Sequence, residues 1–90
     1  MTWRYQAVWG VGTGKFAGER HYTMCEVYLD DAGRLLSWTK NPAIAPGAED
    51  QEALQRDIGR MYEDCWNWEP VAVADLHAGM TFKRRPADAP

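Results

Sequence analysis

The amino-acid sequence predicts an α+β domain of two layers: an antiparallel sheet in the element order β-β-β-α-β, with one helix packed on one face. Three observations lead there. Apolar side chains alternate with a period of two in Thr2–Trp9 and again in Arg20–Leu29. A turn, Asp30-Asp31-Ala32-Gly33, sends the second run straight back. Beyond a proline-containing linker the period becomes helical.

In Thr2–Trp9, Trp3, Tyr5, Ala7 and Trp9 point one way and Arg4, Gln6 and Val8 the other. Gly10-Val11-Gly12-Thr13-Gly14-Lys15 carries three glycines and reads as a hairpin loop. It is not a phosphate-binding loop. Trp9 stands where the first glycine is needed, Phe16 where a hydroxyl must hold magnesium, and a strand follows instead of a helix. In Arg20–Leu29, His21, Thr23, Cys25, Val27 and Leu29 share one face; Tyr22, Met24, Glu26 and Tyr28 share the other. Both faces are partly apolar, so this strand is expected to be central. The third strand, Arg34–Lys40, sets Leu36 and Trp38 against Leu35, Ser37 and Thr39 on its two sides, and completes a hairpin.

Residues 41–47 contain Pro42 and Pro46 and read as a linker. Leu54, Ile58, Met61 and Cys65 then recur at i, i+4, i+7 and i+11, the apolar stripe of a helix over about 49–66. Glu49, Asp50 and Glu52 favour its N-terminus electrostatically, and Glu52 and Arg56 form an i,i+4 pair. Val71–Ala74 reads as a fourth strand, at an edge because of Pro70. Residues 1–76 thus form the domain. Residues 77–90, with Lys83-Arg84-Arg85, read as a frayed, partly basic tail, partly disordered.

Composition narrows function. A net charge of −3 argues against general nucleic-acid binding. No apolar run is long enough to cross a membrane, and the N-terminus lacks a secretory signal, so a cytoplasmic protein is expected. Cys25 and Cys65, forty residues apart, read as two reduced, buried thiols. With His21 and His77 scattered singly, no metal site and no cofactor are expected. His21 and Cys25 share a strand face but lie about 13 Å apart, too far for a nucleophile and its base. The pairs Asp30/Asp31 and Glu63/Asp64 read as solvated charge. No catalytic residue emerges, so a non-enzyme is expected.

Two features point instead to a protein partner. Residues 49–69 hold seven carboxylates against two arginines, an acidic face able to meet a basic groove. Five tryptophans exceed what a small helix-on-sheet core absorbs, so some are expected to stand outside as anchors. The candidate partner-binding residues are Trp66, Trp68, Asp57, Glu63, Asp64, Trp3 and Trp9. A homodimer is also expected, through the sheet face away from the helix or an exposed strand edge.

The run Cys25-Glu26-Val27-Tyr28-Leu29-Asp30-Asp31-Ala32-Gly33-Arg34, with Ser37-Trp38-Thr39, Asn41-Pro42 and later Glu69-Pro70-Val71, resembles a group of small phage, prophage and bacterial proteins. Their pattern is roughly EVYYDxxGxxxSWTxxP, followed by an acidic helix and a short Pro-Val strand. The resemblance spans about residues 3–74. The β-β-β-α-β order is also similar to that of HicB-type antitoxin domains, which have a partly formed RNase-H-like fold. The small size, the acidic helix, the surplus tryptophans and the lack of a catalytic constellation lead to the expectation of a phage- or mobile-element-associated regulator or inhibitor of a host complex, anti-CRISPR-like, acting by surface occlusion. The topological likeness implies, alternatively, an antitoxin that neutralises a small toxic RNase.

Overall fold

A computed structural model describes residues 1–11, 18–39 and 49–86. The glycine-rich loop and the proline-containing linker expected from sequence fall largely outside these residues. The elements are β1 (Thr2–Val11), β2 (Arg20–Leu29), β3 (Leu35–Trp38), α1 (Gln51–Asn67) and β4 (Val71–Ala72), followed by a 3-10 turn at Val73–Asp75. They form an α+β fold in which one helix packs against one four-stranded sheet of order β3-β2-β1-β4.

β1 and β2 pair antiparallel over their whole length, from Thr2 opposite Leu29 to Val11 opposite Arg20. The turn into β3 is built by Asp30. Its Oδ1 accepts from the backbone N–H of Ala32 and Arg34, each at 2.9 Å, while Gly33 takes the positive φ of 80° that its neighbours could not adopt cheaply. β3 is shorter than expected and irregular. Leu29 faces Leu35 but Tyr28 faces Ser37, so Leu36 is an extra residue. The bulge brings Leu35 and Trp38 to the same side, although simple alternation had separated them.

The sheet is mixed, which corrects the all-antiparallel expectation. β4 runs parallel to β1, with Val8 opposite Val71 and Trp9 opposite Ala72. The physical reason lies in the connection: β3 also runs parallel to β1, so β3-α1-β4 is a crossover, and a strand reached through a helix enters parallel. β4 holds the sheet edge, as the adjoining proline implies.

The core lies on the face of His21, Thr23, Cys25, Val27 and Leu29. Val8, Cys25, Val27, Leu29 and Leu35 are its buried residues, packed by Trp38, Val71, Leu76, Met80 and Phe82. Three of these last five belong to the segment beyond Asp75. Residues 77–86 do not fray. Gly79 N–H and Leu35 N–H exchange bonds with Leu35 O and Met80 O, at 2.7 and 2.8 Å. Glu69 N–H reaches Lys83 O at 2.9 Å and Arg85 N–H reaches Asn67 O at 2.8 Å. The chain end is thereby laid over the sheet face away from α1, so that face is interior and not the dimer surface expected from sequence. Part of the β3 edge is covered by the same segment.

Candidate protein-docking surface

α1 begins at a sound N-cap: the Asp50 carboxylate accepts from Ala53 N–H at 2.8 Å, in extended geometry. Glu52 follows in the first turn. Yet α1 buries no residue fully. Its inward side runs through Leu54, Asp57, Met61, Asp64 and Trp68, while Ile58 and Cys65, half of the expected apolar stripe, stand exposed. At 100° per residue the apolar arc and the sheet-facing side differ by roughly 50°, about a seventh of a turn.

Tyr5 supplies the reason for this rotation. Glu26 directs both its N–H and its C=O to Thr39, so Tyr5, opposite Glu26, points its own N–H out of the sheet beyond the short β4. Asp64 Oδ2 accepts that N–H at 2.9 Å, and Asp57 Oδ1 accepts the Tyr5 hydroxyl at 2.6 Å. Burial, reinforced by the bond to Asp57, pushes the Tyr5 phenol up to about 12. Fully buried Gln6 completes the edge: its Nε2 donates to Glu69 O at 2.9 Å and Ala7 O at 2.8 Å. Satisfying a buried backbone donor outweighs seating an isoleucine and a cysteine at a partly solvated position.

Two of the candidate docking residues, Asp57 and Asp64, are thus engaged inside the chain. Trp68 is half-buried between cations, with the Arg4 guanidinium 3.9 Å from its ring centre and that of Arg84 at 5.0 Å. Burial lowers the Arg4 guanidinium to about 10, with Asp64 acting against that shift. Trp9 is half-buried under Arg20 at 4.0 Å. Glu63, Trp3 and Trp66 remain outside; Trp3 is 43% exposed and meets Tyr5 edge-on at 5.3 Å.

The helix rotation leaves outside Ile58, which the sequence reading placed inward, and Tyr62, which it did not assign, beside the expected Trp66. Ile58 is 48%, Tyr62 71% and Trp66 47% exposed. Their i, i+4, i+8 spacing makes one continuous row, a signal present in the sequence but assigned inward at Ile58. Tyr22, 53% exposed, stands on the part of the helix-side sheet face that α1 does not cover. Between this face and the helix lies an open groove of about 370 Å³, lined by Ala7, Tyr22, Met24, Cys65, Pro70 and Arg85. Cys65 is exposed at its wall, not buried as expected, because it sits on the rotated flank; Cys25 is buried, and burial pushes its thiol up to about 11. Among the described residues no group of His, Cys, Asp or Glu side chains is arranged to hold a metal ion, and no helix is long and apolar enough to cross a membrane. Set against family models, curated proteins and solved structures, the chain matches none of them.

Proposed function

We propose that this chain is a non-catalytic protein-binding module that acts by occluding the surface of a larger complex, in the manner of an anti-CRISPR-like inhibitor or a regulator associated with phages or mobile elements. One observation carries the reading: aromatic and apolar side chains, Trp3, Tyr22, Ile58, Tyr62 and Trp66, stand exposed, and the sheet face beside α1 is open. Large rings held on a strand and a helix lose little freedom on binding, which suits them as anchors. The chemistry of Cys25 also favours a binder. A buried thiol pushed to about 11 holds little thiolate at neutral pH.

The test is capture of a defined complex from the native host by tagged protein, followed by assay of that complex with the purified chain added. Wild-type protein is expected to inhibit it. The double variant Trp3→Ala/Tyr22→Ala is expected to lose capture and inhibition together while its melting stays cooperative. Unchanged inhibition by that variant defeats the reading. A second reading, an antitoxin for a small RNase, draws on the β-β-β-α-β order. It is favoured instead if co-expression rescues growth from such a toxin.

A further inference from the structure

We propose that the exposed row of α1 is the interface of a two-fold dimer in which the helices of two copies pack antiparallel. Ile58, Tyr62 and Trp66 form an i±4 ridge, all three exposed. The neighbouring i±4 row is Gln55, Gly59 and Glu63, and Gly59 cuts a notch in its middle: a Cβ built there meets nothing within 4 Å. Ridges of this kind pack into such grooves. A two-fold axis through the midpoint of Gly59 and Tyr62 lays each Tyr62 ring over the other copy's Gly59, so knob and hole are supplied by one surface, twice.

Charge selects the antiparallel arrangement. Arg56 lies on the N-terminal half of α1 and Glu63 on the C-terminal half, on the same flank of the row. Antiparallel packing sets each Arg56 beside the other copy's Glu63; parallel packing would carry the two flanks to opposite sides of the contact and leave both residues without this pairing. Arg56 already reaches Glu52 at 3.7 Å, but both side chains are largely exposed and that pair holds them weakly. This fit of a surface to itself, in shape and in charge, is what identifies the occupant as a second copy. A helix of this length spans about 25 Å, so the contact is modest and the dimer concentration-dependent. The inference rests on the reading of this side of the molecule as a binding surface. It assigns the helix row to the second copy and leaves Trp3, Tyr22 and the groove for the other partner.

Sedimentation of the full chain over a concentration series tests it. The mass is expected to rise from the 10.2 kDa of one chain towards twice that value. Gly59→Lys sets its Cβ in open space, fills the notch and improves helix propensity. It is expected to weaken the dimer at least about tenfold, the equivalent of ~1.4 kcal/mol, while melting no earlier than wild type. Arg56→Glu and Glu63→Arg are each expected to weaken it several-fold, and their combination to regain most of the loss. A single-chain mass at every concentration overturns the proposal. So does a Gly59→Lys dimer of wild-type affinity, or a charge-swapped pair no better than either single change. The two proposals fail separately. A monomeric wild-type chain that still captures a host complex removes only the dimer; a dimer that captures nothing removes only the occlusion reading.

Discussion

The helix and the chain end exchange the roles that their sequences suggest. α1 has the longer apolar periodicity, yet it buries none of its residues fully and holds the sheet edge largely through Asp57 and Asp64. The segment after Asp75 shows little periodicity, yet it supplies Leu76, Met80 and Phe82 to the core and bonds to Leu35, Asn67 and Glu69. Periodicity reports how apolar side chains could be grouped on one side of an element. Which element closes a core depends on where backbone donors at a sheet edge need partners and on which segment can reach the bare face.

The largest effects are therefore expected at the chain end. Removal of residues 76–90 exposes one whole face of the sheet, and the remaining chain is expected to lose its cooperative thermal transition and its near-UV circular dichroism. Phe82→Ala, which also removes a ring lying 4.9 Å from the Arg4 guanidinium, should cost about 3 kcal/mol in urea unfolding. A truncated chain that melts with the wild-type midpoint would return the segment to the status of a tail.

Next in size is the contrast between two adjacent carboxylates. Asp64→Ala leaves the outward N–H of Tyr5 without its acceptor and should cost about 1–3 kcal/mol. Glu63→Ala, on the exposed side, should stay within about 0.5 kcal/mol. Equal costs at the two positions would mean that α1 is not held in this rotation.

Alkaline pH separates the core from the helix contact in another way. Cys25 has its thiol raised from 9.0 to about 11, and Tyr5 its phenol from 10.0 to about 12. For both, the unfolded chain releases its proton first as pH rises. Each contribution is full below the unfolded value and is lost as pH climbs through the folded one. Stability is expected to begin falling near pH 9 through Cys25, and near pH 10 through Tyr5. Arg4 works the other way: its guanidinium, lowered from 12.5 to about 10, lets the folded chain shed a proton first, so it offsets part of the fall above pH 10. Cys25→Ala should delay the onset by about one pH unit, read from melting temperature between pH 8 and 11.

Much of this architecture is legible in the residues, and the failures have physical causes. The Asp30–Gly33 turn, the faces of β2 and the N-terminal start of α1 follow from local chemistry: an Asx acceptor, a period of two, a capping carboxylate. The parallel entry of β4 was implicit in a helix lying between two strands. Three things were not legible. The Leu36 bulge depends on pairing across β2 and β3. The rotation of α1 depends on a single outward N–H at Tyr5. The closure of the core by Met80 and Phe82 depends on contacts made far along the chain from their partners. Composition led to the expectation that some tryptophans lie outside the core, and Trp3 and Trp66 are exposed. It could not distinguish them from Trp68 and Trp9, which are half-covered by Arg4 and Arg20.

The smallest expected effect is the most pointed. If the apolar stripe Leu54-Ile58-Met61-Cys65 were the inward side of α1, Ile58→Ser would place a hydroxyl in a core and cost several kcal/mol, since a buried isoleucine truncated to a small residue costs about 2–5 kcal/mol. With α1 turned so that Asp57 and Asp64 reach Tyr5, the Ile58 side chain stands at 48% exposure and loses little on becoming serine. The change should then lie within about 0.5 kcal/mol. It is measured at micromolar protein or below, where self-association through the same row cannot add to apparent stability. Met61→Ser, one turn round on the half-buried side, should cost more than Ile58→Ser. The order of these two variants, rather than the size of either, decides which side of the helix meets the sheet.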